Sequence, residues 1–144
     1  MSTQVLAPIA LFVFKRPQHT RRVLESLARN PEFARSPLHI FADGARRPDD
    51  APIVEETRRL VADWPHPDKT IHLAPANRGL AASIIEGVGM LCASAGRVIV
   101  VEDDLRLAPG FLAYMNQALN VYQDEPRVMQ VSGHMYPVRP SLQG

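Results

Sequence analysis

The chain has 144 residues, 46% of them hydrophobic, enough for one domain with its own core. Lys and Arg number 16 against 15 Asp and Glu; the net charge of +1 excludes the strongly basic surface that draws nucleic acid or anionic membrane, so neither is expected as a partner. A single cysteine, Cys92, excludes an internal disulfide and makes a reducing, cytoplasmic setting the expectation.

The first element is an apolar run over residues 5–14, too short to span a bilayer, with no basic segment before it and Lys15-Arg16-Pro17 after it. Within it, residues 9–14 read as a strand, and no integral membrane segment is expected. Residues 18–29 place Val23, Leu24, Leu27 and Ala28 on one helical face. Residues 38–42 form a second strand closed by Asp43-Gly44. Asp50 and Pro52 then mark the start of a helix carrying Ile53, Val54, Leu60, Val61 and Trp64. Residues 70–73 are a short third strand. From Gly79, apolar residues at 80, 84, 88, 91 and 95 recur at steps of three and four, predicting a long helix that ends at Gly96 and keeps Cys92 in the core.

The organising stretch follows. Val98-Ile99-Val100-Val101 is β-branched throughout and reads as a strand buried on both faces, running straight into Glu102-Asp103-Asp104. Adjacent carboxylates repel, so their clustering at a strand end costs stability unless a cation or several donors sit there. Mg²⁺ or Mn²⁺ is the simplest such cation, because these hard ions are held by one or two carboxylates plus a substrate phosphate. The plainer alternative is a solvated acidic loop preceding the next helix, which Pro109 opens with Phe111, Met115, Leu119 and Tyr122 inward. Residues 128–132 predict a fifth strand.

Regular alternation of strand and helix implies an α/β fold, Rossmann-like, with a mostly parallel sheet and helices on both faces. With the first three strands running outward and the fourth returning beside the first, Arg16, Asp43 and the acids at 102–104 share one crevice at the strands' carboxyl ends. Arg16 there suits a diphosphate, or is a solvated strand end. Asp43 suits the N–H of a base or a ribose hydroxyl, or is a plain turn residue before Gly44. Asn77-Arg78-Gly79 suits an anion or a sugar at a helix start, or is an ordinary helix start. Neither a dinucleotide fingerprint nor a P-loop is present.

Residues 99–115, IVVEDDLRLAPGFLAYM, resemble the Glu-Asp-Asp segment of GT-A glycosyltransferases similar to N-acetylglucosaminyltransferase I and related bacterial sugar transferases. Phe14-Lys15-Arg16, Phe41-Ala42-Asp43-Gly44, Asn77-Arg78-Gly79 and Val131-Ser132-Gly133 extend the resemblance over most of the chain, although only the acidic segment is specific by itself. The resemblance implies a UDP-sugar or similar nucleotide-diphospho-sugar as partner. Asp104 would hold Mn²⁺ or Mg²⁺ on the diphosphate, Glu102 and Asp103 would contact ribose and sugar or orient the metal's ligands, Arg16 would reach the diphosphate, and Asp43 the base. Arg78 joins them as a candidate sugar or phosphate contact. Residues 1–144 would form a single donor-binding domain. The acceptor half of such enzymes, with its catalytic base, is expected to be missing, with only His134 standing near as a candidate base. The expectation is a donor-binding domain incomplete as an enzyme, able to self-associate through an exposed sheet edge. A nucleotidyltransferase, or a non-catalytic doubly wound binding or scaffold domain, is the alternative.

Overall fold

The computed structural model describes residues 5–134. Its four strands, β1 (Ile9–Val13), β2 (Leu38–Ala42), β3 (Lys69–Leu73) and β4 (Ile99–Glu102), form one all-parallel sheet in the order β3-β2-β1-β4. Helices α1 (Pro17–Ala28), α2 (Ala51–Asp63) and α3 (Leu80–Ala95) connect them, and α4 (Phe111–Val121) follows β4. The protein is therefore α/β and Rossmann-like.

Alternation along the strands divides the core in two. Ile9, Leu11 and Val13 join Leu38, Ile40, Ile99 and Val101 on one face, packed by Val23, Leu24 and Leu27 of α1, Val61 of α2, and Leu112 and Met115 of α4. Each such side chain, fully buried, contributes ~1.5–3 kcal/mol, so this face carries most of the apolar stabilisation. Residues of the other parity, Ala10 and Phe12, pack with Leu91, Phe41, Ile84 and Val88 under α3. The chain moves one way across the sheet from β1 to β3 and the other way from β3 to β4. Crossovers of one hand then require α3 to lie on the opposite face from α1 and α2. The reversal puts β4 beside β1 and opens a crevice at their carboxyl ends.

Two buried amides anchor the segment that follows β4. Asn30, at the end of α1, accepts the Leu112 N–H at 3.0 Å and so caps α4, which has no cap of its own. Asn116 accepts the Ala7 N–H at 2.9 Å and donates to the Leu112 carbonyl. Ser26 of α1 accepts the Leu107 N–H at 3.3 Å. The acids at 103 and 104 therefore leave β4 on a segment tied back to α1.

Three expectations are corrected. Residues 128–132 form no strand: Val128 donates to the Glu125 carbonyl in a turn, and Met129 is 96% exposed. The reason is topological. Continuing outward from β4 with the same hand would require α4 over the α3 face, yet Leu112 and Met115 pack on the other. The segment instead returns along α4, where Gly133 lies so close to Phe111 that a Cβ would sit 2.6 Å from the ring. Cys92 is exposed and not core. Only a narrow stripe of α3, centred on Gly87 and Leu91, meets the sheet, and position 92 lies one step round the helix from it. Tyr122, expected inward, stands just past the end of α4 and is 45% exposed, while Leu112 takes the innermost position of that helix.

Candidate functional site

A cleft of about 290 Å³ opens at the carboxyl ends of β1, β2 and β4. Phe12 and Phe41, stacked with ring centroids 5.0 Å apart, form its apolar floor. Around them stand Arg16, Asp43, Arg46, Asn77, the amino end of α3, and Glu102, Asp103 and Asp104. The polar clusters at 16, 43 and 102–104 are thus brought together. Lys15 is not among them: its ammonium lies 2.7 Å from Asp50, at the start of α2.

The acids divide by environment. Asp103 has a side chain 13% exposed, whereas Asp104 and Arg16 are about half exposed, at 50% and 52%. The Arg16 guanidinium lies 3.3 Å from Asp104 and 3.6 Å from Asp103. Burial pushes the Asp103 carboxyl above the ordinary carboxylate value; Arg16 opposes this, the Asp104 charge adds to it, and a hydrogen bond from the Phe14 backbone N–H opposes it. One half-exposed arginine, its pairs worth ~0–1 kcal/mol each, leaves the cluster short of positive charge. The donors are hard carboxylate oxygens, so the set fits a small divalent cation of the Mg²⁺ or Mn²⁺ type. Among the described residues no group of three or more His, Cys, Asp or Glu is arranged around a metal position. The fit is therefore to an ion that takes one or two carboxylates and completes its shell from phosphate and water.

Asp43 is placed very differently. It is 8% exposed, and both carboxylate oxygens are engaged. Oδ1 accepts the backbone N–H groups of Gly44 and Arg78, each at 2.8 Å, while Oδ2 accepts the Gly79 N–H at 3.0 Å and the Asn77 side-chain amide at 2.9 Å. Its carbonyl receives the Arg58 guanidinium at 3.2 Å, and the same guanidinium donates to Ala74 at 2.6 Å, tying the ends of β2 and β3 together. Two glycines make the junction possible. A Cβ on Gly44 would lie 2.5 Å from the Ala76 carbonyl carbon, and Gly79 has φ +82° and ψ 158°, a region essentially closed to other residues.

The junction sets the start of α3. That helix has no side-chain cap and no acid in its first turn, and although the Gly79 N–H is taken by Asp43, the first-turn N–H groups from Leu80 onward and the positive end of the dipole lie beside the cleft. Arg78 contributes only its backbone here. Its side chain pairs with Glu86 over a second hollow of about 260 Å³, lined by His72, Leu73, Pro75 and Met90. Glu102 ends β4 and lines the main cleft. His134 is exposed, its backbone N–H donating to Ser132 Oγ.

Arg46 escaped the sequence reading, as did the paired rings of Phe12 and Phe41. The available signal for Arg46 was Arg46-Arg47, three and four residues after an acid at a strand end. For Phe12 and Phe41 there was none, because strand phenylalanines read as core. No family model matches the chain, and no curated protein matches it.

Proposed function

We propose that the cleft binds a nucleotide-diphospho-sugar together with Mn²⁺ or Mg²⁺, as the donor-binding part of a glycosyltransferase. The observation that carries this reading is the charge-deficient pair Asp103 and Asp104, set in one cleft with Arg16 and the open amino end of α3. A diphosphate brings several negative charges to a place that already holds three acids. Only a cation can reconcile the two, and the hard carboxylates suit a divalent one.

Asp104, the more exposed acid, would hold the ion, with Asp103 beside it. When bound, the ion would neutralise charge on a departing diphosphate. The chain's own residues do the rest. Arg16, on a loose exposed pair, is free to exchange Asp104 for a phosphate oxygen once that carboxylate is neutralised. Helix α3 adds backbone donors, and Arg46 adds a second guanidinium on the cleft wall. Glu102 stands where a ribose or sugar hydroxyl would find an acceptor. The resemblance of residues 99–115 to the Glu-Asp-Asp segment of GT-A enzymes supports the same assignment. No base for an acceptor hydroxyl is assigned, so the proposal covers donor binding.

Calorimetry with UDP tests it. Binding is expected with Mn²⁺ or Mg²⁺ and is expected to vanish in EDTA; equal affinity in EDTA would reject the metal-dependent site.

A further inference from the structure

The structure assigns Asp43 a role separate from ligand recognition: it is a positioning residue that builds the wall of the cleft, and it leaves the ligand's heterocycle unread. This rests on the nucleotide-binding reading for the cleft itself, but the clamp stands on geometry alone. An ionised carboxylate offers about four lone-pair acceptor sites. At Asp43 the Gly44, Arg78 and Gly79 N–H groups and the Asn77 amide supply four donors, all within 3.0 Å. No acceptor site is left for an imide N–H of a base.

These bonds also have a direction. Three of them, from Asn77, Arg78 and Gly79, bring the β3–α3 loop onto the end of β2, a link across 34 to 36 residues. That loop leads directly into the amino end of α3 at the cleft. Loss of the carboxylate would let the loop swing and would displace the donors that meet a phosphate, whatever base the ligand carries. Gly44 cannot take up the slack, since its backbone is already pressed against Ala76.

The two roles predict different specificities. A carboxylate reading an imide would favour UDP, which has an N3–H donor, over CDP, which has an acceptor there, by ~100-fold or more. A clamp favours neither. With Mn²⁺ present, UDP and CDP are therefore expected to bind the intact protein within about threefold of each other, and Asp43→Asn to weaken both by a common factor of about tenfold. A UDP preference that Asp43→Asn erases, with CDP binding unchanged, would overturn the inference. Amide hydrogen exchange on the ligand-free protein decides the clamp independently. The Arg78 and Gly79 N–H groups should be protected, and rapid exchange at both would overturn it even if both diphosphates bind. Should neither diphosphate bind, the donor reading fails, and exchange alone upholds or removes the clamp.

Discussion

Asp43 and the Asp103–Asp104 pair end strands on either side of β1, face the same cleft, and are chemically alike. Their surroundings are opposite. Asp43 is nearly buried and met by four donors, so its charge is already answered by the chain. Asp103 and Asp104 share one half-exposed arginine, and burial of Asp103 works against its ionisation. An acid whose acceptor sites are filled from within holds structure together, while acids left short of positive charge cost stability and so mark where something else is bound.

Removing the satisfied acid should have the largest effect. Asp43→Ala leaves three backbone N–H groups without their acceptor and removes one of the two acceptors of the Asn77 amide, and a loss of ~3 kcal/mol is expected in a urea titration. A loss below ~1 kcal/mol would place Asp43 with the other acids, as a group the fold does not need.

Asp104→Asn should behave in the reverse way. It removes one of two mutually repelling charges and half of an exposed ion pair, so stability should stay within ~0.5 kcal/mol of the parent or rise slightly. Metal-dependent UDP binding should fall by ~100-fold, about 2.7 kcal/mol. Melting and calorimetry on one sample would separate these. A large drop in melting temperature with binding unchanged would make Asp104 a structural group and remove the contrast with Asp43.

These two kinds of acid were hard to tell apart in the sequence, and the reason is physical. Both appear as an acid after a strand, and what separates them is the number of donors supplied by residues 34 to 36 positions away, which no local pattern records. The elements themselves were legible where apolar periodicity is set by burial. All four strands and the helices between them stand within one or two residues of their expected limits, whereas the turn-back of the chain beside β1, which alternation allows but does not prove, had to be assumed and is the order observed. Residues 128–132 misled because a short segment with two valines has strand propensity without a guaranteed neighbour to pair with. Cys92 misled because α3 offers the sheet a narrower stripe than its composition suggests.

A smaller effect concerns the strand that delivers the clamp loop. His39 of β2 and His72 of β3 lie 3.1 Å apart between ring nitrogens, and His72 stacks on Phe41 with centroids 4.4 Å apart. Burial lowers both imidazoles below the ordinary histidine value; Asp68 opposes this at His39, and the His39 charge adds to it at His72. The unfolded chain therefore binds protons that the native pair resists. Stability is retained above about pH 6.5 and is lost as pH falls through the lowered native values. After screening, the loss should be ~1 kcal/mol or less, and His72→Phe should remove most of it. Exchange at Arg78 and Gly79 should quicken along with it, since the loop leaves β3 directly. An acid-induced loss equal in His72→Phe and the parent would mean that other groups cause it.

The smallest effect tests the other side of the contrast. Asp103 has its native carboxyl raised, first by burial and also by Asp104, so the folded protein holds that proton more tightly than the unfolded chain does. The resulting penalty is absent below the ordinary carboxylate value, near pH 4, and builds as pH rises through the raised native value. Asp103→Asn should therefore be more stable than the parent at pH 7, by ~0.5 kcal/mol after solvent screening, and the two should converge near pH 4. Arg16 and the Phe14 N–H pull the other way, which keeps the gap small. Mn²⁺ with UDP should reverse its sign, because the bound ion supplies the positive charge that the fold lacks and so favours the ionised parent. Paired melts of the two proteins at pH 4 and pH 7, with and without Mn²⁺ and UDP, make the measurement. A parent more stable than Asp103→Asn at pH 7 without metal would show that Arg16 and Phe14 already satisfy this carboxylate, and the acids of β4 would then belong with Asp43.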